Sequence, residues 1–125
     1  MTLVTGTNNF LGLTNIRRIS STGQGAQAQF TDIISNPNGS GKTFAVNFVG
    51  ISNTGANNAQ YRLYQSTGST SYMIMQITIT RGIMNPVFTN ENPFYLFPNE
   101  KLRLYTDAGA FSGSTNYWCT YTELS

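Results

Sequence analysis

The chain has no histidine and one cysteine, and only 10% of its 125 residues are charged. Without imidazole, Ser-His-Asp and Cys-His catalysis and His-ligated zinc are excluded. A single cysteine, Cys119, permits neither an internal disulfide nor a cysteine cluster for a metal. Five acidic and seven basic residues leave a net charge of +2. That charge is too small and too scattered for a phosphate-tracking surface, so nucleic acid is not an expected partner. Arg17-Arg18 is the local basic pair. No apolar run approaches the roughly 20 residues that span a bilayer, and no membrane partner is expected. The opening residues Met1-Thr-Leu-Val-Thr-Gly-Thr-Asn8 lack a basic region and a sustained apolar stretch, so a secretory signal is not expected. Coiled coils and exposed helices need charged, helix-favouring surfaces, which this composition does not supply.

What is present is Gly, Ser, Thr and Asn among short apolar runs. At this length folding hides roughly two-thirds of the chain's surface, enough for one core without metals or disulfides. Residues 1–15 carry Leu3, Val4, Phe10, Leu11 and Leu13 without helical period or clean alternation, and read as an extended N-terminal arm. Such an arm is expected to lie on its own barrel or on a neighbour, with Phe10, Leu11 and Leu13 in contact and Arg17 and Arg18 beside them.

Residues 16–125 read as a single all-β domain. Candidate strands are Ile16–Ser20, Ala26–Ile34, Lys42–Ile51, Tyr61–Ser66, Ser71–Thr80, Pro86–Thr89, Phe94–Phe97, Lys101–Thr106 and Thr115–Glu123. Ser21–Gly25 reads as a flexible connection, and Phe30, Asp32 and Ile34 are expected to face away from Thr31 and Ile33. Phe44, Val46 and Phe48 are expected to oppose Ala45, Asn47 and Val49. Leu102 and Leu104 oppose Lys101, Arg103 and Tyr105, and Tyr117, Cys119 and Tyr121 oppose Trp118, Thr120 and Thr122. About eight strands at roughly 8–12-residue spacing predict an antiparallel β-sandwich of jelly-roll type. Ser71–Thr80 and Thr115–Glu123 are apolar or aromatic on both faces, which points to a contact beyond the core.

The motifs that look chemical have plainer explanations. Asn36-Pro-Asn-Gly-Ser-Gly-Lys-Thr43 ends like a phosphate-binding loop, but Asn36 stands where glycine is required and a strand pattern follows instead of a helix. It reads as a turn. The carboxylates are Asp32, Glu91, Glu100, Asp107 and Glu123, and glycosidase chemistry would need two of them about 5–10 Å apart across a cleft. Glu100, Asp107 and Glu123 fall at turns or strand ends, where solvated positions are ordinary. Tyr64, Tyr72, Tyr95, Tyr105, Tyr117, Trp118 and Tyr121 suit either core packing and subunit contact or a sugar-stacking platform. Cys119, between Tyr117 and Tyr121 on its face, reads as a buried small hydrophobe.

Phe94-Tyr-Leu-Phe-Pro-Asn-Glu-Lys-Leu-Arg-Leu-Tyr-Thr-Asp-Ala-Gly109 and Asn116-Tyr-Trp-Cys-Thr-Tyr-Thr-Glu-Leu124 resemble the closing strands of small tailed-bacteriophage virion proteins. The shared pattern is an apolar strand, a Pro-Gly-Asp/Glu type of turn, an alternating strand, a Gly/Ser loop and a final strand. Asn99 departs from it by standing where glycine is usual. The Lys42–Ile51 strand followed by Tyr61-Arg-Leu-Tyr64 fits the same style, so the resemblance spans residues 42–125.

The resemblance implies a capsid decoration (cement) protein, without enzymatic activity or cofactor, that forms a homotrimer. It would be assembled in the host cytoplasm, sit on the capsid exterior and brace major capsid protein subunits through the arm. A tail, neck or fibre component, or a carbohydrate-binding module, are the other expectations. On the decoration expectation, deleting residues 1–15 leaves a folded oligomer that no longer co-sediments with its capsids. Retained co-sedimentation would remove the arm from the mechanism.

Overall fold

The computed structural model describes residues 16–24, 29–55, 57–88, 92–106 and 115–125. Phe10, Leu11, Leu13 and the rest of the proposed arm lie outside the described residues. The strands are β1 (Ile16–Gln24), β2 (Phe30–Ser35), β3 (Thr43–Asn53), β4 (Ala59–Thr67), β5 (Thr70–Ile79), β6 (Met84–Phe88), β7 (Phe94–Leu96), β8 (Glu100–Thr106) and β9 (Thr115–Leu124). They form two antiparallel sheets. The first has the order β1-β9-β3-β6, with β7 also paired to β3, and the second has the order β2-β8-β4-β5.

The pairings nest. The β4–β5 hairpin lies innermost, β3 pairs with β6 and β7, β2 with β8, and β1 with β9. A long hairpin rolled in this way is the jelly-roll arrangement of the sandwich, as the strand spacing predicts. Nine strands form, one for each candidate segment, and β6 and β7 share one place beside β3, at Val49–Ser52 and Phe44–Val46. β6 carries Pro86 at the sheet edge, where a missing N–H costs no ladder bond.

The core lies between the sheets. Phe44, Val46, Val49, Ile51, Leu96 and Cys119 come from the first sheet, and Ile33, Ile34, Ala59, Tyr61, Leu63, Ile79, Leu102 and Leu104 from the second. Each fully buried side chain of this size contributes about 1.5–3 kcal/mol. A buried hydroxyl contact also bridges the layers, where Thr115 Oγ1 lies 3.1 Å from the Tyr61 hydroxyl. Alternation reads correctly in β4, β8 and β9: Tyr61, Leu63, Leu102, Leu104 and Cys119 are buried, and Trp118 faces out.

Elsewhere bulges interrupt the alternation. The β3–β9 register shifts between Val46 and Phe48, so Phe44, Val46, Val49 and Ile51 all point inward and Phe48 turns away. A second shift between Asp32 and Ile34 buries Ile33 and Ile34 together. Both two-face expectations for these strands are therefore corrected. Ser21–Gln24 is also no flexible connection, because β1 continues through it in register with Asn116–Cys119. Gly23 is needed there, since the Tyr117 ring and hydroxyl occupy the space a Cβ would take.

Two buried asparagines join the turns at opposite ends of β3. Asn36 donates through Nδ2 to the carbonyls of Lys42 (2.9 Å) and Leu96 (3.0 Å), and its Oδ1 accepts from Ser40 (2.6 Å). Its backbone exchanges bonds with Glu100 (2.9 Å) and Asn99 (2.8 Å). Asn53 donates through Nδ2 to the carbonyls of Asn57 and Ile79, both at 2.9 Å, and accepts from Gly55 N–H at 3.0 Å. Its backbone bonds Ile83 and Gly82.

The Phe97–Glu100 turn closes with a 3.0 Å bond from Glu100 N–H to the Phe97 carbonyl, with Pro98 leading and Asn99 at φ 73°. This is the signature of a type II turn, and asparagine tolerates the left-handed conformation that glycine usually supplies. The Asn36–Thr43 segment is a turn feeding β3, as its sequence predicts.

Truncating either buried asparagine strands at least two carbonyls in the interior. Asn36→Ala and Asn53→Ala are each expected to lower stability by about 2–4 kcal/mol. Exposed Asn38, two residues from Asn36, should tolerate alanine to within about 0.5 kcal/mol. Urea midpoints at unchanged slope measure both effects.

Candidate functional site

Large apolar side chains left exposed mark where this sandwich can meet something else. On the outer face of the first sheet, two rows of paired residues cross the strands. One row is Thr22, Trp118, Gly50 and Pro86, and the next is Gln24, Asn116, Ser52 and Met84. Gly50 contributes no side chain, and its neighbours converge over it. A Cβ there would come within 3.0 Å of Met84 Sδ and of the Phe48 ring. Trp118 packs beside Phe48 at 5.1 Å between centroids, yet stays 49% exposed. The result is a shallow, uncharged concavity of about 320 Å³.

The outer face of the second sheet is built differently. Asp32 accepts from Arg103 Nε at 2.8 Å and from Lys101 Nζ at 3.3 Å. The Arg103 guanidinium lies 4.4 Å from the Phe30 ring centroid, and Phe30 meets Tyr64 (5.0 Å) and Tyr105 (5.2 Å) edge-on. Arg62 lies over Tyr105 at 5.8 Å. Four of these seven groups are charged, and they contact one another across three strands. Exposed ion pairs of this kind contribute little stability, but they keep this face polar.

Beside that face runs the edge strand β5. Tyr72 is 60% exposed, Met73 53% and Ile74 37%. Met75 and Ile77 pack against the core and Ile79 is buried. The β4–β5 register shifts where Leu63 pairs Met75 and Tyr64 pairs Met73, so Ile74 is the extra residue of a bulge.

The seven aromatics considered as a sugar platform are not brought together. Tyr64 and Tyr105 meet around Phe30, Tyr72 lies on β5, Tyr95 on β7, and Trp118 on the opposite sheet. Tyr117 and Tyr121 pack against the core. Arg17 and Arg18 occur in β1 opposite Glu123 and Thr122 of β9.

The described carboxylates have partners of their own. Glu123 pairs Lys42 at 3.4 Å, and Glu100 Oε1 accepts the Phe97 N–H at 2.8 Å. Glu91 and Asp107 lie outside the described residues. Among the described residues no group of three or more metal-ligating side chains occurs, and no helix is long and apolar enough to cross a membrane. Sequence reasoning missed the β5 edge and the Gly50 concavity, because both depend on which strands become neighbours.

No family model matches this chain, and no curated protein matches it. Among solved structures, it is similar to a chain from the structure described as "Bacillus endospore appendages form a novel family of disulfide-linked pili". The TM-score is 0.54 at 14% identity, over 88% of this chain and 86% of that one. At that identity the likeness establishes a shared fold.

Cys119 is fully buried, and burial pushes its thiol from the usual 9.0 up to about 11. The thiolate is the reactive form, so the group is inert in the folded state. The tyrosines Tyr61 and Tyr117 are also raised, chiefly by burial. A raised folded value means the unfolded chain loses protons first as pH climbs. For Cys119 that stability is complete below pH 9 and lost progressively towards pH 11, and for the two tyrosines it is lost as pH climbs beyond 10. Urea unfolding at pH 8 and pH 10.5 checks the sign. An Ellman-type reagent at pH 8 should label Cys119 only after denaturation.

Proposed function

We propose that the protein is a non-enzymatic structural subunit that acts by associating with copies of itself and with a larger particle. The observation that carries this reading is exposed apolar surface on an otherwise well-packed sandwich. Trp118 and Met84 stand out from the first sheet, and Tyr72, Met73 and Ile74 from the edge of the second. Few charges are available to keep such surfaces apart in solution.

Within that class we favour a virion part, a capsid decoration protein on the capsid exterior that contacts major capsid protein. Its support is the resemblance of residues 42–125 to small tailed-phage virion proteins. A second reading, a repeating subunit of a fibre, is favoured by the fold shared with the disulfide-linked pilus structure. The linkage itself does not carry over. A chain must offer at least two thiols to be bonded covalently to two neighbours, and this one has only Cys119, buried and protonated. Association here is non-covalent in either reading.

Light scattering and negative-stain microscopy of the purified full chain separate the two. A discrete closed oligomer of the same mass with and without reductant is expected. Open filaments would transfer the assignment to the fibre reading. A monomer at every concentration would defeat both.

A further inference from the structure

Each sheet of a sandwich has two edges, and each edge exposes unpaired backbone N–H and C=O groups that a further strand can take up. Soluble proteins blunt such edges with charge, proline, shortness or bulges. Three of the four edges here are blunted in that way. β1 carries Arg17, Arg18 and Gly23. The opposite edge of the first sheet is divided between five-residue β6, with Pro86, and three-residue β7. β2 has six residues, contains Asp32 and is bulged.

The fourth edge is different. β5 runs ten residues, Thr70–Ile79, with no charge, no proline and no glycine. Among the described strands it pairs with β4 alone. Its bulge at Ile74 does not turn apolar groups away from water, since Tyr72, Met73 and Ile74 all remain exposed.

We propose that β5 is a homotypic interface, pairing antiparallel with β5 of a second copy across a two-fold axis to join two four-stranded sheets into one of eight strands. The inference rests on the assembly reading above and names the surface it uses. An antiparallel pair across a two-fold axis sets residue i of one copy against residue j of the other and j against i, so a strand whose charges are all of one sign can offer them no counter-charge from its copy. Arg17-Arg18 on β1 and Asp32 on β2 would find no opposite charge on a copy of the same strand. β5 carries no charge to repel its copy. The same pairing covers Tyr72, Met73 and Ile74 and gives the outward backbone groups of β5 a strand of matching spacing. The contact makes the elementary unit a dimer, in place of the trimer implied by the phage resemblance.

The test uses the full chain. Light scattering over a dilution series should give twice the 13.7 kDa chain mass. Met73→Lys and Ile74→Lys should each weaken dimerisation at least tenfold, while Asn38→Ala, in the exposed turn before β3, leaves it unchanged. Hydrogen exchange on the unmodified protein gives a readout independent of variant folding. Backbone amides of β5 should exchange at least tenfold faster once dilution favours monomer, and those of β1 should not change. An oligomer that survives both lysine substitutions, with β5 exchange independent of concentration, overturns the β5 interface and leaves the assembly reading standing. So does an oligomer lost only on removal of residues 1–15, which would become its determinant. A monomer at all concentrations overturns both readings.

Discussion

Satisfying backbone groups where strands turn is the constraint on which this sandwich depends. Core packing between the sheets is generic, a matter of apolar side chains meeting from two sides. The turns are not generic, because their carbonyls are drawn into the interior where water cannot reach them. Asn36 and Asn53 meet that demand at opposite ends of β3, each with one amide donating to two carbonyls and one oxygen accepting a third bond. Asn36 ties the turn before β3 to β7 and to the β7–β8 turn. Asn53 ties the end of β3 to the end of β5. Both side chains tie the first sheet to the second, beside the core packed between them.

That rigid frame leaves the surface free to be specialised. One outer face gathers its charges into a single network, through Asp32, Lys101, Arg103 and the rings beside them. The other carries an uncharged concavity around Trp118 and Gly50. Between the edges the contrast is sharper still, since short, charged or proline-bearing strands guard three of them and β5 guards nothing. Low charge removes the usual barrier to association. A small sandwich with one open apolar edge is suited to building something larger.

Much of the fold was legible because strand periodicity is a local property. β8 alternates cleanly, and Tyr61, Leu63, Leu102, Leu104, Cys119 and Trp118 occupy the sides their spacing predicts. The turn at Pro98-Asn99-Glu100 was also legible, and the structure adds the left-handed backbone at Asn99. Bulges at Ile33, Asn47 and Ile74 were not, since an extra residue is visible only against a partner strand. Nor could Asn36 be told from Asn38. Both are asparagines in one turn, and only the approach of Leu96, sixty residues away, makes the first a buried hub.

From the sequence alone came an all-β chain without imidazole chemistry, one inert cysteine and apolar surface beyond what a core requires. Those conclusions rest on composition and on a two-residue period, and neither needs to know which strands meet. Only the tertiary structure decided that β5 lies at an edge while β9, equally apolar on both faces, lies sheltered between β1 and β3. The reason is physical: an edge is defined by pairing between distant segments, and two strands of similar composition become an exposed edge and an interior strand according to their neighbours.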